Sequence, residues 1–328
     1  MRTPLPAIAE FHNVTYDLFH QKIQPLYRPA ILRGLVQDWP LVQHAKRAMP
    51  DLLNDLAKRD SGAAVDAIML RPEHDGRIFY DETMDGFNFI KNRVPITAVL
   101  EQLVRYAQFA TPPSVAVQSA LVAECLPGLQ QDHPMPLLGD DTAARIWLGN
   151  HIVTPTHIDG SDNIACVISG RREFVLFPPE QIANLYIGPL DFAPTPSPIS
   201  MVNLATPDFD RFPHFQTALE HAQSAILEPG DAIYIPNLWW HHVESLDKIN
   251  ILMNYWWGGS NFSTENKTSP YGLLLQALLS FKELPLAQRA AWGSVFQHYV
   301  FSTDDPAAHI PSHRRGVLQR LGKKQKFS

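Results

Sequence analysis

The chain has 328 residues, of which 45% are hydrophobic and 18% are charged, and its formal net charge is −6. This composition excludes a disordered chain, and the length favours one large globular domain or one domain with a smaller appended part. The acidic balance gives no electrostatic reason to expect a nucleic-acid partner. The two cysteines, Cys125 and Cys166, form no CxxC motif, which argues against a disulfide framework or a structural zinc site.

The amino-terminal sequence and the apolar runs bear on location. MRTPLPAIAEFHN lacks the basic-then-apolar order of a signal peptide. No apolar run approaches the roughly 20 residues that a membrane-spanning helix needs. We therefore expect a cytoplasmic protein that does not enter a membrane.

The first zone, residues 1–140, has a mixed pattern. Ala30 to Leu32 predict a short apolar strand that ends at Gly34. Apolar residues at helical spacing follow in LLNDLAKRD and in ITAVLEQLVRYAQF. We expect this zone to form a mixed segment with helical additions that packs on the core.

The second zone, residues 141–260, is rich in short β-type runs that Gly and Pro separate. The runs are ARIWLGN, NIACVISG, REFVLFPP, SAILEPGDAIYIP and KINILMNYWWGG. Such spacing is typical of an all-β sandwich or barrel. We expect this zone to be the core domain.

The third zone, residues 261–328, is predicted to be helical. Ser269 is suited to cap a helix whose first residue is Pro270, and YGLLLQALLSFKEL follows. A second amphipathic run, LAQRAAWGSVFQHYVF, comes after Pro285.

The apolar surface of these two helices is wider than one domain needs. The apolar residues are Leu274, Leu275, Leu278, Leu279, Phe281, Trp292, Val295, Phe296, Tyr299 and Val300. Together they cover more than the single stripe that packs on a core. In one interpretation the N-terminal helices of a monomer cover the remainder. We favour the other, a two-fold homodimer that pairs these helices.

Two histidine-containing stretches of the second zone suggest a metal site. His157 and Asp159 stand two residues apart in TPTHIDGSDN, and residues i and i+2 of a strand face the same way. His241 and His242 are adjacent in YIPNLWWHHVESL, so only one of them can readily join the first pair. Two histidines and one carboxylate with open positions form the facial triad of non-haem Fe(II) oxygenases.

Each stretch alone also has an ordinary explanation. An HxD pair is common by chance, and Trp239 and Trp240 beside the histidines are more often core or rim residues. The metal interpretation is favoured because the two stretches lie near the start and the end of the β-rich zone.

Several ordered motifs of the second zone resemble the JmjC-type, cupin-like 2-oxoglutarate dioxygenases, and most closely their protein-asparaginyl hydroxylases. The shared motifs are TPxHxD from Thr154, LFPPEQ from Leu176, PDFDRFPHFQ from Pro207, PGDAIYIPNLWWHHVESL from Pro229 and NYWWGG from Asn254. The segment RPAILRGLVQDWP also resembles the entry segment of these enzymes. The resemblance implies a double-stranded β-helix, or jelly roll, with flanking helices.

The resemblance also implies roles for individual residues. His157, Asp159 and His242 would bind Fe(II), and His241 would be structural. Arg172 stands where the family has a lysine that binds the distal carboxylate of 2-oxoglutarate, and its planar fork can bind a carboxylate bidentately. The other residues around this cosubstrate would be Thr154, Asn163, Asn254 and Trp256.

One position departs from the family pattern. Ala116 in AVQS stands where the family has a tyrosine that also binds the cosubstrate. Either Arg172 suffices alone or another group substitutes for the tyrosine. Gln118 in the same stretch matches a residue that faces the polypeptide substrate, and Trp239 is a second candidate substrate contact.

The implied reaction is the hydroxylation of an unactivated C–H bond with release of succinate and CO₂. The substrate is expected to be a protein, a peptide or a small polar molecule. Asparaginyl, histidyl, aspartyl, arginyl and lysyl targets all remain open, and demethylation is the less favoured reaction. The alternatives from other classes are a non-catalytic metal-binding cupin and a binding module without a metal.

Overall fold

The computed structural model describes residues 5–259 and 269–318. The chain divides into two compact units, Met1–Phe262 and Ser263–Ser328. The zone boundary that the sequence places at residue 260 falls in 260–268, outside the described residues.

The described part of the first unit contains thirteen strands in two sheets. The strands are β1 Ala9–His12, β2 Ala30–Arg33, β3 Val65–Leu70, β4 Phe89–Val94, β5 Ser114–Leu121, β6 Ala144–Gly149, β7 Val153–His157, β8 Asp162–Ser169, β9 Arg172–Phe177, β10 Gln223–Leu227, β11 Ala232–Ile235, β12 Trp240–Ser245 and β13 Asn250–Trp257. The nine-stranded sheet has the order β1-β2-β11-β8-β13-β6-β5-β3-β4, and the four-stranded sheet has the order β10-β9-β12-β7.

Helices flank the sheets in this unit and form most of the second unit. The helices are α1 Tyr16–Leu18, α2 Pro40–Arg47, α3 Met49–Arg59, α4 Ile96–Tyr106, α5 Val122–Cys125, α6 Leu129–Asp132, α7 Phe215–Glu220, α8 Pro270–Phe281 and α9 Leu286–Phe296. No helix among the described residues is long and apolar enough to cross a membrane.

The two sheets face each other and enclose an apolar interior. Every second residue along each strand points into it. Ala165 and Val167 of β8, Leu252 of β13 and Phe174 and Leu176 of β9 pack there together. Two further apolar clusters lie on the outer faces of the sheets. The cluster on the large sheet packs against the flanking helices, and the cluster on the small sheet packs against loops and α7. The structure confirms the predicted β-rich fold with flanking helices, and its two sheets are those of a jelly roll.

Residues before 141 extend the large sheet as well as covering it. The predicted strand at Ala30 is present as β2, and the two predicted helices are α3 and α4. The strands β3, β4 and β5 were not predicted, although β5 pairs directly with β6 of the core zone. Pairing between strands distant in sequence therefore makes the first two zones parts of one sheet.

A buried histidine fastens the N-terminal helices to each other. The side chain of His133 is 0% exposed, its Nδ1–H donates to the carbonyl of Leu129 at 2.7 Å, and its Nε2 accepts the N–H of Leu41 at 3.0 Å. Burial, together with the nearby Arg59, lowers the pKa of His133. The neutral imidazole is therefore the form that the fold requires.

We expect His133→Phe to lower the free energy of unfolding of the metal-free protein by about 1–3 kcal/mol near neutral pH, because it leaves the Leu41 N–H buried without an acceptor. The pKa of His133 is lowered only in the folded state, so its stabilising effect is complete above the unfolded pKa of about 6.5 and declines as the pH falls below it. The difference in the free energy of unfolding between the wild type and the variant should therefore become smaller as the pH is lowered from 7.5 to 5.5. Urea titrations at pH 7.5 and 5.5 measure it, with exposed His12→Phe as control; a pH-independent difference would contradict the assignment.

The described part of the second unit exposes most of its apolar residues. Among the residues described, α8 buries only Tyr271 and Gly272, and α9 buries none. As predicted, the Ser269 hydroxyl caps α8, and it accepts the N–H of Gly272 at 3.0 Å. Leu279 is 78% exposed and Leu286 is 76% exposed. A helix that is apolar on several sides needs a further surface to cover it.

Candidate active site

Two histidines and one carboxylate converge at one end of the interior. His157 is the last residue of β7, Asp159 lies in the turn before β8, and His241 is the second residue of β12. One ligand atom from each of these side chains lies within 4.8 Å of the others. The antiparallel pairing of β12 with β7 sets His241 opposite His157, with ring centroids 4.1 Å apart.

The third member of this cluster is His241 and not His242, which corrects the expectation drawn from the sequence. His241 pairs with Leu176, whose side chain belongs to the interior cluster. His242 pairs with Val175, which packs on the outer face of the small sheet. Adjacent strand residues face opposite ways, so His242 points away from His157 and Asp159.

Both imidazoles of the cluster are oriented by hydrogen bonds. The Nδ1–H of His157 donates to the carbonyl of Pro155 at 2.8 Å, and the Nδ1–H of His241 donates to the carbonyl of Trp239 at 3.0 Å. Each Nε2 is thereby left as the lone-pair donor, as in metal-binding histidines. Burial and the neighbouring His241 lower the pKa of His157, so its ring is neutral near pH 7.

The carboxylate of Asp159 is held by two donors. Its Oδ2 accepts the indole N–H of Trp256 at 2.9 Å and the side-chain amide of Asn163 at 3.1 Å. The amide of Asn254 donates to Asn163 Oδ1 at 2.9 Å and extends the chain. Three residues that the sequence assigned to the cosubstrate pocket therefore meet beside Asp159, and they fix the orientation of one of its oxygens.

Backbone contacts join the two segments that bear the cluster. The N–H of Leu238 donates to the carbonyl of Asp159 at 2.9 Å. Leu238 has φ +61°, a left-handed conformation that is rare for a residue with a side chain. This strained turn brings the chain into β12 next to Asp159, so that His241 begins its strand beside the carboxylate.

A buried cation lies in the same interior. Arg172 is the first residue of β9, is 8% exposed, and pairs with Leu227 of the interior cluster. Its buried Nε has no hydrogen-bond partner among the described residues. Burial lowers the pKa of Arg172 to about 10, which leaves it charged at neutral pH. A buried guanidinium without a partner among the described residues fits an anionic ligand, because a buried charge without a partner is costly.

The two other arginines considered for this role are exposed and bind other groups of the protein. Arg171 is exposed and forms an ion pair with Asp247 at 3.1 Å. Arg145 is also exposed, and its guanidinium donates to the carbonyl of Ser119 at 2.8 Å. Arg172 is therefore the arginine best placed to meet a ligand inside the sandwich.

Comparison with known proteins bears on this arrangement. A model described as a cupin-like domain matches residues 16–263. The chain belongs to the cupin-like domain family. The matched range includes strands β2 to β13 and every residue of the cluster.

Curated relatives of this chain include an HSPB1-associated protein and two proteins named lysine-specific demethylases. HSPB1-associated protein 1 of Rattus norvegicus is 37% identical over 115 residues, 34% of this chain and 23% of that protein. Lysine-specific demethylase JMJ31 of Arabidopsis thaliana is 32% identical over 139 residues, 41% of this chain and 25% of that protein. Lysine-specific demethylase 8 of Xenopus tropicalis is 23% identical over 253 residues, 76% and 53% of the two chains. The aligned regions thus span about a quarter to a half of these relatives.

The remaining predicted residues occupy different parts of the cupin-like site. Thr154 of β7 lies opposite Val243, whose side chain is in the interior. Gln118 lies at an irregularity of β5 where pairing with β6 is interrupted, next to Ser119 with φ +50°. Trp239 is 7% exposed, packs in the interior cluster and donates its indole N–H to the carbonyl of Tyr27 at 3.1 Å. Trp239 is therefore part of the wall, whereas Gln118 is half-buried at a break in the sheet.

The sequence did not single out one residue of the interior, Trp147. It packs against the interior cluster, with its ring centroid 6.5 Å from that of Trp256. Its buried Nε1 has no hydrogen-bond partner among the described residues. In the run ARIWLGN a tryptophan between two apolar residues looks like an ordinary core residue. The signal that could have found it is strand alternation, which points Trp147 to the opposite face from Ile146 and Leu148.

Proposed function

We propose that the protein is an Fe(II)- and 2-oxoglutarate-dependent oxygenase that hydroxylates a polypeptide side chain or a small amino-acid-like molecule. The observation that carries the proposal is the presence, in one interior, of a two-histidine, one-carboxylate cluster and of the buried cation of Arg172, which has no partner among the described residues. The cluster has the donor set of non-haem iron oxygenases, and the cation fits the distal carboxylate of the cosubstrate.

The residues of the site would divide the work among them. The Nε2 atoms of His157 and His241 and a carboxylate oxygen of Asp159 would hold Fe(II) on one face. When bound, iron and 2-oxoglutarate supply the oxidising equivalents for inserting one oxygen of O₂ into a C–H bond, with succinate and CO₂ as the other products. Arg172 and the hydroxyl of Thr154 would orient the cosubstrate.

The interior would exclude water from the reacting atoms. Asn163, Asn254 and Trp256 would keep Asp159 in one orientation, and the apolar side chains of the interior cluster would leave no competing ligand. Gln118 and the wall at Trp239 would lie on the substrate side. Positioning and dryness are the contributions that the protein makes to this chemistry.

Both non-catalytic alternatives are less well supported. A structural metal site would use the cluster without needing a cation, and a binding module would need neither. The buried guanidinium of Arg172 costs free energy, and an anionic ligand would offset that cost. The acidic composition continues to favour a protein, peptide or small polar substrate over nucleic acid.

Demethylation is the second candidate reaction, because two of the relatives are named lysine-specific demethylases. Hydroxylation of an N-methyl group yields an unstable hydroxymethyl amine that releases formaldehyde, so both reactions begin with the same C–H oxidation. They differ in product: a gain of one oxygen or a loss of one methyl group.

Mass spectrometry of cellular proteins treated with the enzyme, Fe(II) and 2-oxoglutarate separates the two reactions. We expect peptides that gain one oxygen and no formaldehyde. His241→Ala protein treated in the same way is the control. Formaldehyde with loss of methyl groups would replace hydroxylation by demethylation, and the absence of any 2-oxoglutarate turnover with active-site metal bound would overturn the oxygenase.

We also propose that α8 and α9 pair with a second copy of the chain, since their exposed leucines leave a wide apolar surface in one copy. Light scattering at micromolar concentration should give twice the mass of one chain. Leu279→Arg should give the mass of one chain, because a buried unpaired charge at a dimer contact costs several kcal/mol. Val104→Arg, at an exposed apolar residue of α4, is the matched control. A wild-type protein with the mass of one chain would contradict the dimer.

A further inference from the structure

Ala116 brings no polar group to the interior. Its side chain is 7% exposed and packs with Ile68, Leu70 and Ile78 on the inner face of the large sheet. It lies opposite Gly149 of the neighbouring strand β6. The hydroxyl that the family supplies from this position is therefore missing, and no hydrogen-bonding group of residue 116 replaces it.

Trp147 stands on the same strand face as Gly149, two residues away. It pairs with Leu252, whose side chain belongs to the interior cluster. Ala116 and Trp147 are thus diagonal neighbours on adjacent strands, a relation that places side chains within reach of each other. The indole of Trp147 can therefore reach the region of the interior that the side chain of a tyrosine at position 116 would reach.

The indole N–H of Trp147 is a buried donor that needs an acceptor. Buried tryptophan N–H groups usually have one, and leaving a donor unsatisfied costs about 1–3 kcal/mol. Among the described residues, none accepts from Trp147 Nε1. The comparison within this chain is informative: the indoles of Trp39, Trp239 and Trp256 donate to Pro134, Tyr27 and Asp159.

Trp147 and Arg172 both face the interior between the two sheets, because each pairs with a residue of the interior cluster. Trp147 is in line with Leu252 and Val167 across three strands of the large sheet. Only Gly170 and Arg171 separate the end of β8 at Ser169 from Arg172. Both residues carry buried N–H groups that have no partner in the described part of the chain, and a carboxylate ligand would supply the acceptor oxygens that they need.

We propose that the indole N–H of Trp147 is the second donor to the distal carboxylate of 2-oxoglutarate, beside Arg172, in place of the hydroxyl that Ala116 lacks. The inference rests on the proposed function, since it assigns a residue to the cosubstrate of that reaction. Trp147 would then bind the cosubstrate through one hydrogen bond from its uncharged N–H to the charged carboxylate.

Trp147→Phe tests the proposal, because it keeps an aromatic ring and removes the N–H. Protein loaded with Zn(II), which is redox-inactive, is titrated with 2-oxoglutarate by calorimetry. We expect Kd to rise about 10-fold or more, the value of a hydrogen bond to a charged group. Binding of 2-oxopentanoate, which lacks the distal carboxylate, should be the same for both proteins. Trp39→Phe, which removes a donor that already has a partner, should bind 2-oxoglutarate like the wild type.

A second measurement uses the wild-type protein and does not depend on the folding of the variant. The ¹⁵N-indole resonance of Trp147, assigned by its absence in the variant or by selective labelling, should shift on addition of 2-oxoglutarate and not of 2-oxopentanoate. An equal Kd for Trp147→Phe, or an indole resonance that does not move, overturns the inference while leaving the oxygenase in place. A wild-type Zn(II) protein that binds no 2-oxoglutarate overturns the proposed function itself.

Discussion

Replacing His241 by alanine is expected to abolish both metal binding and 2-oxoglutarate turnover. Even partners that only orient a metal ligand are worth 10–100-fold in affinity, so loss of a ligand should cost more than about 100-fold. Calorimetric titration with Mn(II) or Fe(II) under anaerobic conditions measures the first effect, and succinate formation followed by NMR measures the second. His241 is buried next to His157, so circular dichroism should accompany both measurements.

The adjacent histidine provides the matched control. His242→Ala makes the same chemical change one residue along β12, on the outer face of the small sheet. We expect this variant to retain stoichiometric metal binding and turnover, with some loss of stability because His242 is 6% exposed. The reverse pattern, in which His242→Ala loses the metal and His241→Ala keeps it, would restore the ligand set that the family motif suggested.

Replacing Arg172 by alanine is expected to raise the 2-oxoglutarate concentration required for half-maximal turnover about 10- to 150-fold, which corresponds to 1.5–3 kcal/mol for a charge-assisted hydrogen bond. The dependence on Fe(II) should change little, since Arg172 is not one of the three residues of the cluster. Arg171→Ala is the control, because Arg171 is exposed and is bound to Asp247. Arg172→Lys should recover part of the affinity because it keeps the charge but loses the fork.

The stability of the ligand-free protein supplies a second observation. Because Arg172 is a buried cation without a partner among the described residues, Arg172→Leu should not lower the melting temperature of the metal-free protein and is expected to raise it. The wild type should be stabilised by 2-oxoglutarate with Zn(II), and the variant should not. A variant that keeps the wild-type response to 2-oxoglutarate would show that another group binds the distal carboxylate.

Local patterns in the sequence predicted much of the fold and part of the site. Alternating apolar runs in 141–260 predicted the β-rich core, and helical spacing predicted α3, α4, α8 and α9. These features can be predicted because the backbone sets the spacing at which side chains return to the same face of a strand or helix. That spacing depends only on residues that are neighbours in sequence. The proximity of His157 to Asp159 was also predicted, although Asp159 lies in the turn after β7 and not on the strand.

The strands β3, β4 and β5 could not be predicted in this way. Their residues join the large sheet by pairing with each other and with β6, which is distant in sequence from β3. The hydrogen bonds and buried faces that stabilise a strand come from partner strands, so the propensity of the segment alone does not decide its state.

The sequence by itself determined that His157 and Asp159 lie close together, that one of two adjacent histidines completes the cluster, and that the chain has the motifs of its family. The tertiary structure alone decided that the histidine is His241, because alternation permits two phases and the register against Leu176 and His157 selects one. It also decided that Arg172 and Trp147 are buried donors without partners among the described residues. Burial and hydrogen-bond satisfaction depend on what surrounds a side chain in space, and that is a property of the assembled sheets.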